Sequence, residues 1–410
     1  VDPRERSRLW EADDIYRVLT TQGTRSKVES ISLILDATKE LRLSPTAFEG
    51  MYNLRLLKIY YPPFLKDPSK EQIMNGKRVG IHLPGGLHFL SSELRFLYWY
   101  NYPLKSLPSN FFPEKPFQLE MPCSQLEQLW NECQPLEQLK CLAKLNLGRY
   151  PELARLASLP HSIGMLESLD LLDLSGCSRL ASLPNNIDAL KYLKSLNLSA
   201  SLPDKIGELK SLEWLNLHDC SGLASLPDGI VELKSLKSLI LNGCSGLESL
   251  PDNIGGLRCL TMLNLSGCLK LASLPDNIGA LRWLYALHLT GCSGLKSLLE
   301  SIGELKRLTT LHLSGLDKQP CYMLSGFQKV EEIASSTYKL GCHEFLNLGN
   351  SRVLKTPERL GSLVSLTQLR LSKIDFARIP ASIKHLTKLS KLYLDDCKRL
   401  QCLPELPSTL

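Results

Sequence analysis

Three histidines, His218, His288 and His312, recur at separations near multiples of 24 residues and read as one register of the chain. Imidazoles repeated at a fixed interval could ligate a metal or exchange protons. Spacing argues against both: with one interval per coil, His218 and His288 lie three coils apart, roughly 14 Å at strand spacing. Only His288 and His312 are neighbours. Among the thirteen cysteines, Cys220, Cys244, Cys268 and Cys292 also recur every 24 residues. No CxxC pair and no Cys/His set at zinc spacing accompanies them, so they read as reduced thiols packing as small hydrophobes. HEFLN at His343 lacks the second histidine of HExxH, and no GxxxxGK[ST], GxSxG or strand-borne GxGxxG occurs. The sequons at Asn197 and Asn264 fall on strand positions rather than surface loops. No catalytic residue, metal ligand or cofactor site is assigned, which leaves binding.

The element that carries these residues is a repeat. From Leu212 the apolar positions are Leu212, Leu215, Leu217, Cys220, Leu223, Leu226, Ile230 and Leu233, and adding 24 gives Leu236, Leu239, Leu241, Cys244, Leu247, Leu250, Ile254 and Leu257. The rule is LxxLxLxxCxxLxxLPxxIxxL. Leu215 and Leu217 are two apart, the strand period, and share a face, while Trp214, Asn216 and His218 share the other. Beyond Cys220 the spacing becomes three and four, suited to turns and short helical segments returning on the far side. Pro227 fits that outer arc because it removes a donor that a sheet would need. The thiol is expected where the chain leaves the strand, donating weakly to a neighbouring carbonyl.

Such coils stack into an α/β solenoid, a leucine-rich-repeat horseshoe with a parallel concave β-sheet and short helical or irregular convex segments. Roughly 14 strands are expected. The exposed strand positions then form a nearly uncharged face. Its expected binding residues are Trp214, Asn216, His218, Ile240, Asn242, Met262, Asn264, His288 and His312, with Arg370, Lys391 and Tyr393 in the last coils. Aromatic and Met anchors among small polar groups suit protein docking.

The 410 residues, 43% hydrophobic and 22% charged, suffice for a large core. A net charge of +6 divides as +3 over residues 1–159, −2 over 160–315 and +5 over 316–410, so no face is basic enough to call for nucleic acid. Neither a membrane span nor an export signal is visible. The expected organisation is a linker over 1–27, irregular repeats over 28–159, regular 24-residue repeats over 160–315, an irregular or inserted segment over 316–344, and closing repeats over 345–410. One coil, 184–203, is short: SLNLSASLPDKIG lacks the GCSxL of its neighbours between Ser199 and Ala200. Its strand is expected to pair normally while the turn from Ser199 to Leu202 is pinched. Leu299, where other coils have Pro, is expected to loosen its turn slightly.

The strings RSRLW at Arg6, DIYRVL at Asp14, VESISL at Val28, LSPTAFEGMYNLRLLKIY at Leu43, LRFLYWYNYPLKSLPSNF at Leu94 and LEQLW at Leu126 resemble the segment that joins the nucleotide-binding module to the repeats in plant TIR-type nucleotide-binding leucine-rich-repeat immune receptors. The LPDNIG repeats and the ending CKRLQCLPELPSTL are similar to the distal repeats of that family. Pro116 and Phe117 depart from its pattern and put an early strand in doubt. The resemblance implies a cytoplasmic or nuclear sensor that recognises a pathogen effector or a guarded host protein and holds an intramolecular nucleotide-binding module inactive. It further implies that the NAD-cleaving TIR domain, the phosphate loop and the post-repeat domain lie outside this chain, which by itself neither cleaves NAD nor binds ADP. The alternative is an extracellular leucine-rich-repeat inhibitor or ligand-perception protein, a type that favours LxxNxLxGxIP where this chain has Cys and LP.

Overall fold

The structure, a computed structural model, describes residues 2–21, 25–35, 40–61, 80–128, 140–148, 158–177, 179–180, 182–295, 302, 304–313, 344–349, 360–361, 363–374 and 376–410. The chain divides into two compact units, Val1–Pro203 and Asp204–Leu410, each a solenoid of parallel strands. Leu299 and all of the 316–344 segment except Glu344 lie outside the described residues.

The first unit contains β1 (Arg8–Leu9), α1 (Ala12–Thr20), β2 (Ser30–Ile34), β3 (Leu41–Arg42), β4 (Leu56–Tyr60), β5 (Ile81–His82), β6 (Phe96–Trp99), β7 (Phe117–Glu120), β8 (Leu142–Asn146), β9 (Leu171–Leu174) and β10 (Ser195–Leu198). Eight of these strands form a parallel ladder in chain order, from which β3 and β5 stand apart as a two-stranded pair. Helix α1 covers the start of the unit, burying Ile15, Val18 and Leu19 at helical spacing. Trp99 is fully buried between Phe48 and Tyr102, with edge-on ring centroids 5.9 and 5.1 Å away.

The second unit contains β11 (Trp214–Asn216), β12 (Ser238–Ile240), β13 (Met262–Asn264), β14 (Ala286–His288), β15 (Thr310–His312), β16 (Phe345–Asn347), β17 (Gln368–Arg370) and β18 (Lys391–Tyr393), paired in that order. The middle residues keep one register throughout, Leu215 to Leu239, Leu263, Leu287, Leu311, Leu346, Leu369 and Leu392. All but the last are essentially inaccessible to solvent. Each buried leucine contributes about 1.5–3 kcal/mol, and a slip of one residue would turn the whole set to water, so the repeat itself specifies the pairing.

The described residues thus hold ten strands in the first unit and eight in the second, more than the roughly 14 expected. Three of the additional strands, β1, β3 and β5, are only two residues long, too short to show a period. Strand β7 forms despite Pro116, which stands just before it and withholds no ladder hydrogen bond. The irregularity appears instead as a register shift against β8 at Phe117. Phe117 is buried against Phe111, centroids 5.5 Å apart.

The exits from the strands explain the Cys and Gly of the repeat. Gly243, Gly267 and Gly291 have φ of +77°, +76° and +73°, a left-handed bend that side chains with a Cβ rarely adopt. The following thiols point back into the coil: Sγ of Cys244, Cys268 and Cys292 donates to the carbonyls of Leu217, Leu241 and Leu265 at 3.0, 3.3 and 3.0 Å. On the far side Pro227, with φ −64°, leads into a 3-10 turn over Asp228–Glu232 that buries Ile230; Pro275 does the same over Asp276–Ala280 with Ile278. The helical segments expected there are these single 3-10 turns.

In the shortened coil β10 pairs residue for residue with β9, from Ser195 with Leu171 to Leu198 with Leu174. The chain then bends at Ser199 and Ala200, Ser199 Oγ accepts from Gly176 N–H at 2.9 Å, and Ser201 bridges back to Ser182. Pairing with the preceding strand survives the deletion, as expected. The outer Leu202 does not reach full burial, whereas its counterparts Leu226, Leu250 and Leu274 are 4%, 3% and 2% exposed.

Candidate protein-binding face

Opposite the leucines, each strand of the second unit offers two positions on its open face. The register aligns the first as Trp214, Ser238, Met262, Ala286, Thr310, Phe345, Gln368 and Lys391, and the second as Asn216, Ile240, Asn264, His288, His312, Asn347, Arg370 and Tyr393. Of the twelve expected binding residues, ten belong to these rows. The other two, His218 and Asn242, sit two residues beyond the second row, past the strand ends.

The single register expected for the three histidines is therefore corrected. His288 and His312 are direct cross-strand partners, but the counterpart of His288 on β11 is Asn216. His218 follows the strand and is held elsewhere: Nδ1 lies 3.1 Å from the Asn242 carbonyl and Nε2 3.0 Å from the Asp219 carboxylate. Spacing near 24 concealed a two-residue offset, which in a strand is a change of position along the same face.

The face contains both structural and unengaged groups. Asn216 Oδ1 accepts from His218 N–H at 3.0 Å, Asn264 Oδ1 from Ser266 N–H at 3.0 Å, and Asn347 Oδ1 from Gly349 N–H at 2.9 Å. These asparagines tie down the turn leaving their own strands, so their carbonyl oxygens serve the fold. Ser238 and Ala286 are buried beneath longer neighbours. Trp214 is 45% exposed, with the Lys237 ammonium 5.5 Å from its ring and that lysine paired to Glu213 at 2.6 Å. Ile240 and Met262 are partly exposed between it and the histidines.

From β14 onward the face changes character. The rings of His288 and His312 stack at 4.4 Å and 2°, His312 meets Phe345 edge-on at 5.0 Å, and the Arg370 guanidinium lies 4.7 Å from the Tyr393 ring centre. Burial holds His288 below the ordinary imidazole range, and burial together with His288 and Arg370 brings His312 down to about 4. Both are neutral near pH 7. No group of three or more His, Cys, Asp or Glu placed to hold a metal occurs among the described residues.

Phe345 and Asn347 were missed in the sequence. Their signal was the LxL of Leu346 and Leu348, obscured because the preceding period is broken. Off the two rows, Trp283 and Tyr285 are 51% and 44% exposed at the edge where the chain enters β14, with the Arg307 guanidinium 3.8 Å from the Trp283 ring. The sequence signal for them is a large aromatic at positions where other coils have small or polar residues, Ser235 and Cys259 before Trp283, Lys237 and Thr261 before Tyr285.

A family model described as a leucine-rich repeat region matches residues 214–332. A leucine-rich-repeat protein of Leptospira interrogans superposes with a TM-score of 0.63 over 98% of this chain and 92% of its own, at 24% identity. The fold is a leucine-rich-repeat solenoid. The fold is shared more widely: a chain of the Drosophila Toll–Spätzle complex gives a TM-score of 0.59 over 92% of this chain and 54% of its own, at 17% identity. Relatives by sequence are disease resistance proteins of Arabidopsis thaliana. RPP2A is 37% identical over 198 residues, RRS1 34% over 214 and RPS6 35% over 198, each match covering 48% of this leucine-rich-repeat chain. The matches span only 14%, 14% and 16% of those relatives' lengths. No described helix is long and apolar enough to cross a membrane.

Proposed function

We propose that this chain is the protein-binding sensor and autoinhibitory module of an intracellular plant immune receptor. In this reading the open sheet face engages a pathogen effector or a guarded host protein, and the repeats restrain the receptor's nucleotide-binding module until that happens. The chain acts by binding and catalyses nothing itself; it works in the cytoplasm or nucleus. The relatives support a role in defence, since those matched are disease resistance proteins.

The observation that carries the binding role is the accessible apolar line of Trp214, Ile240 and Met262 on adjacent strands, set among small polar groups and backed by a rigid leucine ladder. Such anchors on a preformed surface are what a protein interface concentrates its energy in. The test is the triple substitution Trp214→Asp, Ile240→Asp and Met262→Asp in the full-length receptor. It is expected to abolish recognition of the cognate trigger, read as cell death on co-expression, or to release autoactivity. Unaltered recognition together with unaltered restraint would discard the face.

A further inference from the structure

The open face divides into two chemically different halves. Over β11–β13 it is apolar and polar, while from β14 to β18 its two rows contain two stacked imidazoles, two aromatic rings, two permanent cations and no carboxylate. Arg370 and Lys391 are exposed, and among the described residues neither has an ion-pair partner. Arg370 pairs across the ladder with Tyr393, so Lys391, two residues earlier on β18, is its diagonal neighbour. At parallel-strand spacing and rise, that diagonal puts the Cα atoms of Arg370 and Lys391 roughly 8 Å apart. The nearest acidic groups flank the rows: Glu344 precedes Phe345 at the strand entry, and Asp395 lies past the end of β18, its carboxylate accepting from Ser372 Oγ at 2.9 Å.

We propose that this half of the face docks an extended acidic segment of a protein partner, with carboxylates at i and i+2 meeting Arg370 and Lys391 and the chain that flanks them lying across Tyr393, Phe345 and the histidine stack. An extended chain repeats its side chains on one face every two residues, about 6.6–6.8 Å, close enough to the diagonal between the Arg370 and Lys391 backbone positions for two long cationic side chains to reach successive carboxylates. The guanidinium is held over the Tyr393 ring, so it is presented with little further ordering. The imidazoles, neutral in the free protein, are hydrogen-bond donors that add no repulsion to a cation and none to a carboxylate. Charge over residues 360–410 agrees: eight Lys and Arg against four Asp and Glu. A nucleic acid is the poorer occupant, because its affinity requires many phosphate contacts and the two rows supply two cations.

This inference rests on the open face being a protein-docking surface. It is tested with the 410-residue chain and a fluorescein-labelled ten-residue peptide of alternating Glu and Ser, alongside the same peptide with Lys for Glu and a ten-nucleotide oligo-dT strand. The Glu peptide is expected to bind in a salt-sensitive manner and the Lys peptide to fail. The double variant Arg370→Ala/Lys391→Ala should weaken binding at least about tenfold, as two charge contacts are lost. Lys384→Ala/Lys388→Ala, which removes two exposed cations in and just after the 3-10 turn Ala381–His385, should change it less than twofold. Circular dichroism confirms that each variant is folded. No binding of the Glu peptide, equal binding of the Lys peptide, equal losses in both double variants, or oligo-dT binding as tight with the same residue dependence overturns the proposal. Any of these results with recognition still lost in the Trp214, Ile240 and Met262 variant would sink this inference alone.

Discussion

The imidazole rings of His288 and His312 lie face to face, centroids 4.4 Å apart and planes within 2° of parallel, on adjacent strands in exact register. Two protonated rings at that distance would repel, and each is half removed from water. The neutral pair is therefore the stable one.

His312 is expected to titrate near 4, because burial, then His288, then Arg370 all disfavour its charged form. An unfolded imidazole titrates near 6.5. Below that value the unfolded chain takes up a proton that the fold refuses, so this contribution to stability is complete above about 6.5 and is lost as pH falls toward about 4. Following the His312 ring proton by NMR should give a midpoint near 4 and a higher one in Arg370→Gln. A midpoint near 6.5 in the native protein would show that the stack is open in solution.

Much of this was legible in the sequence because the repeat states its own register. Leu215, Leu217 and Cys220 recur with such regularity that strand, inner face and buried thiol follow from spacing alone. What spacing did not show was local. The strands β1, β3 and β5 are two residues long and their period is invisible, and β7 tolerates Pro116 because a proline just before a strand removes nothing from the ladder. The site was read less completely for the same reason: an accessible side chain carries no periodic constraint. Asn216 and Asn264 looked like binding residues, yet their oxygens cap the turns that follow. His218 looked aligned with His288, yet only pairing reveals the offset.

The glycine after each Cys-Ser differs from coil to coil in what lies beneath it. A Cβ on Gly246 would fall 2.2 Å from the carbonyl oxygen of Ser221, while one on Gly222 would meet nothing within 4 Å. Gly246→Ala should destabilise by about 1–3 kcal/mol, the usual penalty of overpacking. Gly222→Ala should be neutral or stabilise by about 0.4–1 kcal/mol through the unfolded chain. Urea midpoints of the two variants decide it, and equal losses would contradict the difference.

The thiol ladder sets an alkaline limit. Burial pushes the Cys177 thiol up to about 12, with the Asp173 carboxylate adding to it, and burial pushes Cys292 up to about 11 against the opposing N–H groups of Cys268 and Gly267. Unfolded thiols ionise near 8.5. Their contribution is complete below about 8.5, and stability falls as pH rises toward 11–12, since the unfolded chain releases protons that the fold retains. The urea midpoint should drop across that window, and less steeply in Cys177→Ala/Cys292→Ala even though that variant starts lower. Under native conditions iodoacetamide should modify the exposed Cys259 and Cys402 well before the buried thiols; simultaneous labelling of all would refute the ladder.

The missing five residues between Ser199 and Ala200 can be supplied. Inserting Gly-Cys-Ser-Gly-Leu after Ser199 restores the period, places a thiol where it would donate to the Leu174 carbonyl, and gives the coil the inner leucine that it lacks. Leu202, partly exposed where Leu226 is 4% exposed, should then close over the core. Burying one leucine side chain contributes about 1.5–3 kcal/mol, so the insertion should raise the midpoint of thermal and urea unfolding despite the added length. A five-residue Gly-Ser insertion at the same point separates burial from length: it should leave stability unchanged or lower it, because it adds ordering entropy without apolar surface. If both insertions lower the midpoint equally, the turn has already closed around Ala200, itself 7% exposed, and the coil has no vacancy to fill.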